Sequence, residues 1–184
     1  MSAQNLNRAE EAIKKLWEES FDEQIARQAF NTAPVEAVVR TVSYYLRDRF
    51  SCKELESLHF LEMGCGAGPN LVWLAQKGIK VSGVDISPTA LKLARLNLER
   101  EGYSQRIGGL IECSVSHAPY EGESFDGIIE ACVFQHLNKS DRERAFREVK
   151  RLLKPSGIFV GYMLDVGHTV FQERQAEQLE DDHG

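Results

Sequence analysis

Cysteine is scarce in this chain: four residues in 184, at positions 52, 65, 113 and 132. None forms a C-x-x-C pair, and no Cys/His cluster has zinc-ligand spacing, so no metal site is expected. The same scarcity speaks against a disulfide framework and for a reducing compartment, the cytoplasm. Positive charge is also short. Lys and Arg number 22 against 28 Asp and Glu, a net charge of −6, which excludes a protein whose affinity rests on neutralising phosphates. No nucleic-acid partner is expected. No apolar run approaches the ~20 residues of a membrane span. Met1 to Lys15 is polar and charged, without the apolar segment of a signal peptide. Internal repeats and low-complexity stretches are absent too. What remains is a globular mix of a size for one domain, at roughly 100–200 residues per domain.

Hydrophobic spacing divides the chain. The first ~55 residues read as helical: Ala9, Ala12, Ile13, Leu16 and Trp17 recur at helical spacing, as do Val35, Val38, Val39, Val42, Tyr45 and Leu46. Thr32 is a candidate N-cap for the second helix, with Pro34 in its first turn. Leu58–Met63 is a short apolar run ending in glycines. Pro69–Lys77 reads as a helix closed by Gly78. Ile79–Val84 is a β-branched strand, and Ser87-Pro88 opens a helix to about Gly102. Gly109–Cys113 and Phe125–Ala131 are strands. Ser140 to Glu143 matches a capping box for a helix through Leu153, ended by Lys154-Pro-Ser-Gly157. Ile158–Met163 is a fifth strand, and Val170–Leu179 a candidate amphipathic helix. Strands alternating with helices predict a doubly wound, mainly parallel Rossmann-like α/β sheet. Its ligand would sit beyond the carboxyl ends of the strands. Three segments result: a helical cap over 1–55, a ligand-binding core over 56–163 and an acidic tail or helix over 164–184.

The first strand runs into Leu61-Glu-Met-Gly-Cys-Gly-Ala-Gly-Pro-Asn70. Glycine permits a tight turn, positive φ and close approach of backbone to ligand. Asp85 follows Gly64 by 21 residues, at the end of the second strand. An acid there can accept hydrogen bonds from both ribose hydroxyls, which implies an adenosine-bearing ligand. The register is wrong for a dinucleotide: Gly64-x-Gly66 is followed by Pro69 where the third glycine should stand. Glu62 beside the loop suits an ammonium or sulfonium better than a pyrophosphate.

Together these segments resemble the Rossmann-like S-adenosylmethionine-dependent methyltransferases. The resemblance is carried by Leu61–Gly68, Gly83-Val-Asp-Ile-Ser87, Ser124-Phe-Asp126 with Val133-Phe-Gln-His-Leu137, and Leu152-Leu-Lys-Pro-Ser-Gly157. It implies S-adenosylmethionine as cofactor and S-adenosylhomocysteine as product. It places Gly64, Cys65, Gly66, Gly68 and Asn70 around the methionine part and ribose, with Glu62 toward the amino group. Asp85 would take the ribose hydroxyls and Ile86 the adenine face. Ser114 stands where the family often has Asp, and the Val115 N–H could serve the adenine edge. Glu130 would lie near the reactive methyl, and Gln135, beside His136, would orient a substrate. His136 is the candidate general base for an acceptor that must lose a proton.

Absences narrow the acceptor. Enzymes that methylate exocyclic amines of nucleic acids carry [DNS]-P-P-[FYW] after the fourth strand, where this chain has Glu130-Ala-Cys-Val133. No Cys follows Pro, as cytosine-C5 chemistry requires. A small-molecule acceptor is the remaining class, with Trp17, Phe21, Phe30, Tyr44 and Tyr45 offering aromatic lid residues. Two rivals stand beside this reading: an NAD-dependent oxidoreductase, and a non-catalytic S-adenosylmethionine-binding protein or incomplete enzyme. The second arises because the family's sheet usually adds a hairpin after its fifth strand. Only 21 residues follow Met163 here, without strand character. An open edge at the fifth strand would suit a homodimer, and a chain shortened at its C-terminus is the other expectation.

Overall fold

A computed structural model describes residues 3–27, 29 and 31–164, with side chains from Glu11 onward. The chain folds as α1 (Ala3–Ala26), α2 (Glu36–Arg49), β1 (His59–Met63), α3 (Pro69–Gln76), β2 (Lys80–Asp85), α4 (Pro88–Arg100), β3 (Ile107–Glu112), β4 (Phe125–Ala131), α5 (Lys139–Leu152) and β5 (Leu153–Tyr162). The expected tail helix and Phe30 lie outside the described residues.

All five strands are parallel, in the order β3-β2-β1-β4-β5. The chain winds outward from β1 to β3, then returns beside β1 and winds the other way. The crevice between the ends of β1 and β4 is therefore the switch point where such sheets bind ligands. Both faces are covered, which is why the strands are so apolar. On one face Val38, Val42 and Leu46 of α2 join Leu71 and Leu74 of α3 and Ala94 and Leu98 of α4 over Phe60, Val81 and Ile129. On the other, Ala145, Val149 and Leu152 of α5 pack with Phe134 against Leu61, Val84 and Ile128. Among the described residues, α1 contributes to neither core. It packs mainly against α4.

Three local expectations change. Helix α2 starts at Glu36, not after Thr32. Val35 takes the cap position without a side-chain cap, and its N–H donates to Asn70 Oδ1 at 2.9 Å. A tertiary partner sets this start. Helix α5 is capped by Asn138, whose Oδ1 accepts the Asp141 N–H, rather than by Ser140. A short 3₁₀ turn over Phe134–His136 delivers the chain there two residues early. The Lys154-Pro-Ser-Gly157 stretch does not precede β5 but interrupts it. Phe125 pairs with Leu153 while Gly127 pairs with Ile158, so the intervening residues loop out, with Ser156 at φ +67°. Pro155 has no N–H to give a ladder, and a bulge is where a strand tolerates it. Ser87 does cap α4, accepting from the Ala90 N–H at 3.0 Å. Gly78 follows α3 at φ +88°.

Candidate functional site

A cavity of about 310 Å³ opens at the switch point. Loop residues Gly64 and Gly66, then Asp85 and Ile86 after β2, Cys113 to Val115 after β3, and Ala131 to Val133 after β4 line it. His136, Leu137 and Asp141 close one side, and Ile13, Trp17 and Phe21 of α1 cover it. The site is thus built from strand ends, as a doubly wound sheet dictates.

The glycine loop gives four of its backbone donors to protein acceptors, three of them at the end of β2. The Gly64 and Cys65 N–H groups both donate to the Val84 carbonyl, at 2.8 and 3.0 Å. Gly68 N–H donates to the Cys65 carbonyl and Gly66 N–H to Asp85 Oδ2, at 2.9 and 2.8 Å. A pyrophosphate cradle needs such donors free. Gly64 and Gly66 adopt φ of +77° and +51°. A Cβ at Gly64 would lie 2.3 Å from a Val133 methyl, whereas one at Gly66 would meet only the Phe21 ring edge, at 3.6 Å. Gly66 therefore presents bare backbone to the cavity. Gly68 does not line it. A Cβ there would stand 3.0 Å from that of Ala94, so this glycine serves the close packing of loop on α4.

Asp85 is 8% exposed. Its Oδ1 accepts the Ser87 N–H at 3.0 Å while Oδ2 holds Gly66. Burial pushes its carboxyl up from the ordinary value, against those N–H donors. Glu62 lies deeper, behind the lining. Its Oε1 accepts from Asn70 Nδ2 at 2.6 Å, and its buried Oε2 has no hydrogen-bond partner among the described residues. Burial, partly offset by Asn70 and reinforced by Asp85 and Glu130, pushes the Glu62 carboxyl up to about 8. Carboxyl groups thus gather at the loop, and no Lys or Arg lines the cavity among the described residues. Such a site favours a cation.

Several expected contacts fall elsewhere. Glu130 is buried but not in the lining. Its Oε1 accepts the N–H groups of Val133 and Phe134, at 2.6 and 2.9 Å. It thereby fixes the turn that aims Val133 and His136, a turn sharp enough to hold Cys132 at φ +63°. Gln135 accepts from the Leu164 N–H at 2.7 Å and turns its amide nitrogen to His136 Nε2, 3.3 Å away. Asn70 bridges Glu62 to α2, and Cys65 is buried in the main core. Tyr44 is 60% exposed, with Arg47 over its ring, because α2 turns its apolar face to the sheet and not to the cavity. Trp17 and Phe21 do reach the site, and the Trp17 ring meets His136 edge-on, centroids 5.3 Å apart. Ile86, Ser114 and Val115 line it.

Sequence reasoning left Ile13, Leu137 and Asp141 out of the site. Ile13 had a signal, one helical turn before Trp17. Asp141 had none, since its place follows from where the 3₁₀ turn ends.

Comparisons with known proteins agree with this geometry. Residues 61–161 match the family described as "Methyltransferase domain". The chain is 36% identical over 98 residues to methyltransferase GfsG of Streptomyces halstedii, covering 53% of this chain and 34% of that protein. It is 32% identical over 116 residues to the ubiquinone biosynthesis O-methyltransferase of Chelativorans sp., covering 63% and 44%. The chain thus spans less than half the length of these two relatives. The PH0226 protein of Pyrococcus horikoshii shares the fold, with a TM-score of 0.63 and 23% identity over 79% of this chain and 60% of that one.

Proposed function

The chain belongs to the Rossmann-like S-adenosylmethionine-dependent methyltransferases, and from that premise we propose that its cavity binds S-adenosylmethionine and directs the methyl group to a small, largely apolar acceptor. One observation carries the reading: a fully buried Glu62 oxygen without a partner, beside a glycine loop whose donors are already spent. The residues present fit a ligand with an ammonium, a sulfonium and a ribose.

Asp85 keeps lone pairs for the ribose hydroxyls beyond the two N–H groups it already accepts. Ile86 and Val115 offer apolar walls for the adenine, and Ser114 a polar edge. Glu62, behind the lining, would answer the amino group through a bridging water. When bound, S-adenosylmethionine supplies an electrophilic methyl and leaves as a neutral thioether, so the protein's tasks are alignment and exclusion of water. Trp17, Phe21 and Val133 exclude water over the cavity. His136, which lines the cavity beside Val133, is our candidate to take a proton from an acceptor hydroxyl.

The apolar lining supports a small organic acceptor rather than a polymer, as does the relative named for O-methylation in ubiquinone biosynthesis. We assign α1 to the lid and residues 36–163 to the binding body, because α2 packs into the main core. Tyr162 and Met163, 37% and 42% exposed at the outer edge of the sheet, support pairing there with a second copy. No described helix is long and apolar enough to cross a membrane. The scarcity of cysteine supports a reducing compartment, the cytoplasm.

Calorimetric titration with S-adenosylmethionine and NAD tests the cofactor, with binding of the first and not the second expected. A screen of small acceptors for S-adenosylhomocysteine release tests turnover. Tight binding with no release on any acceptor would favour the non-catalytic reading.

A further inference from the structure

Helix α1 presents two adjacent stripes. Ile13, Trp17 and Phe21, four residues apart, line the cavity. Lys14 and Glu18 form the next stripe and face the frame. Lys14 pairs with Glu112 at the end of β3, both about 40–46% exposed. Glu18 is held differently. Its Oε1 accepts from Ser87 Oγ at 3.0 Å and from the Thr89 N–H at 3.1 Å, in the first turn of α4. That N–H has no partner within its own helix, and a carboxylate there is favoured by the helix dipole. Ser87 is fully buried and continues the path. Its N–H donates to Asp85 Oδ1, and Asp85 Oδ2 accepts from Gly66. A line of hydrogen bonds runs from the lid helix, through Ser87 and Asp85, to the bare backbone of the loop.

We propose that Glu18 is a positioning residue that latches α1 over the cavity at the start of α4, and that Ser87 carries the state of this latch to Asp85. The proposal rests on the cavity being the S-adenosylmethionine site. The apolar stripe alone cannot fix α1, since it lines the cavity and meets His136 rather than joining either core. The latch therefore sets how often the lid opens and how fast a bound ligand leaves.

The test compares Glu18→Ala, Glu18→Gln and Lys14→Ala in a Trp73→Phe chain, where Trp17 is the remaining tryptophan. Acrylamide quenching of Trp17 reads the lid without ligand, and a chase of bound S-adenosylmethionine reads release. Hydrogen bonds to a charged group are strong enough that Glu18→Ala is expected to release the ligand about ten-fold faster. Trp17 becomes more quenchable in the same variant. Glu18→Gln, which keeps an acceptor, falls between. Lys14→Ala changes release less than about two-fold, as exposed ion pairs contribute little. Thermal unfolding stays near that of the parent, because Glu18 and the other described residues of α1 belong to neither core. Adding Ser87→Ala to Glu18→Ala changes release less than the two single effects combined. Parent-like quenching and release in Glu18→Ala would overturn the latch, as would an equal effect from Lys14→Ala, and additivity with Ser87→Ala would remove the relay. If the parent chain binds no S-adenosylmethionine, the cofactor reading fails, while quenching still decides the latch.

Discussion

Asp85 and Gly66 are joined by a hydrogen bond of 2.8 Å from the loop N–H to Oδ2. The residue expected to read the ribose is therefore also the residue that shapes the loop beneath it. Substituting Asp85 removes two functions together. Asp85→Ala is expected to cost about 1.5–3 kcal/mol of S-adenosylmethionine affinity for lost bonds to a charged group. Asp85→Asn, which retains an acceptor for Gly66, should lose less. Isothermal titration of both variants checks this, and equal losses would separate the ribose role from the loop role.

Glu62 predicts a pH dependence. Its folded carboxyl holds a proton up to about pH 8, while the unfolded chain releases it near the ordinary value of 4.5. Between these values the folded state binds more protons, so stability falls as pH rises, by at most about 1.4 kcal/mol per unit. Glu62→Gln should flatten this slope in urea unfolding curves measured across the window. A bound ammonium favours the carboxylate, so cofactor binding near neutral pH should release a proton. Calorimetry in buffers of different ionisation enthalpy measures that release directly.

The glycines of the loop should part company under substitution. Gly66→Ala has room for its methyl group, and the cost to folding is the positive φ, roughly 1–2 kcal/mol. Cofactor affinity should nevertheless drop steeply, because the new group stands where backbone meets ligand. Gly68→Ala adds to similar strain a collision with α4, for roughly 1–3 kcal/mol more from overpacking. Its loss should appear mainly in stability. Chemical denaturation set beside binding isotherms separates the two cases.

The two N-terminal helices should also respond differently. Leu46→Ala in α2 empties a core position and should cost about 2–5 kcal/mol. Trp17→Ala in α1 should change stability by less than about 1 kcal/mol, within the usual range for positions outside the core. It should weaken ligand binding instead. Thermal melts with and without S-adenosylmethionine distinguish these outcomes.

Patterning made the sheet legible. β4 runs over Phe125–Ala131, the bounds expected for it, and Ser87-Pro88 announces α4 through cap chemistry that is local to the chain. What stayed hidden depends on distant partners. The start of α2 answers to Asn70, 35 residues away, and no local motif could locate it. Within the site, residues directly after strands were readable because the fold itself puts them there. Side-chain direction was not: Glu130 turns back to hold Val133 and Phe134, and Tyr44 sits on the outward face of α2. Both are choices of rotamer and helix phase that spacing alone leaves open.

Because the described residues of α1 stand outside both cores, the face they turn to the cavity is free to drift. A chain poised just above its stability threshold tolerates few changes among packed residues. At Ile13, Trp17 and Phe21, which line the cavity, a substitution reshapes that cavity at little expected cost to folding. On the proposed function, α1 is thus the part of this molecule through which a lineage explores new acceptors, while the walls tied to strand ends and loop stay constant.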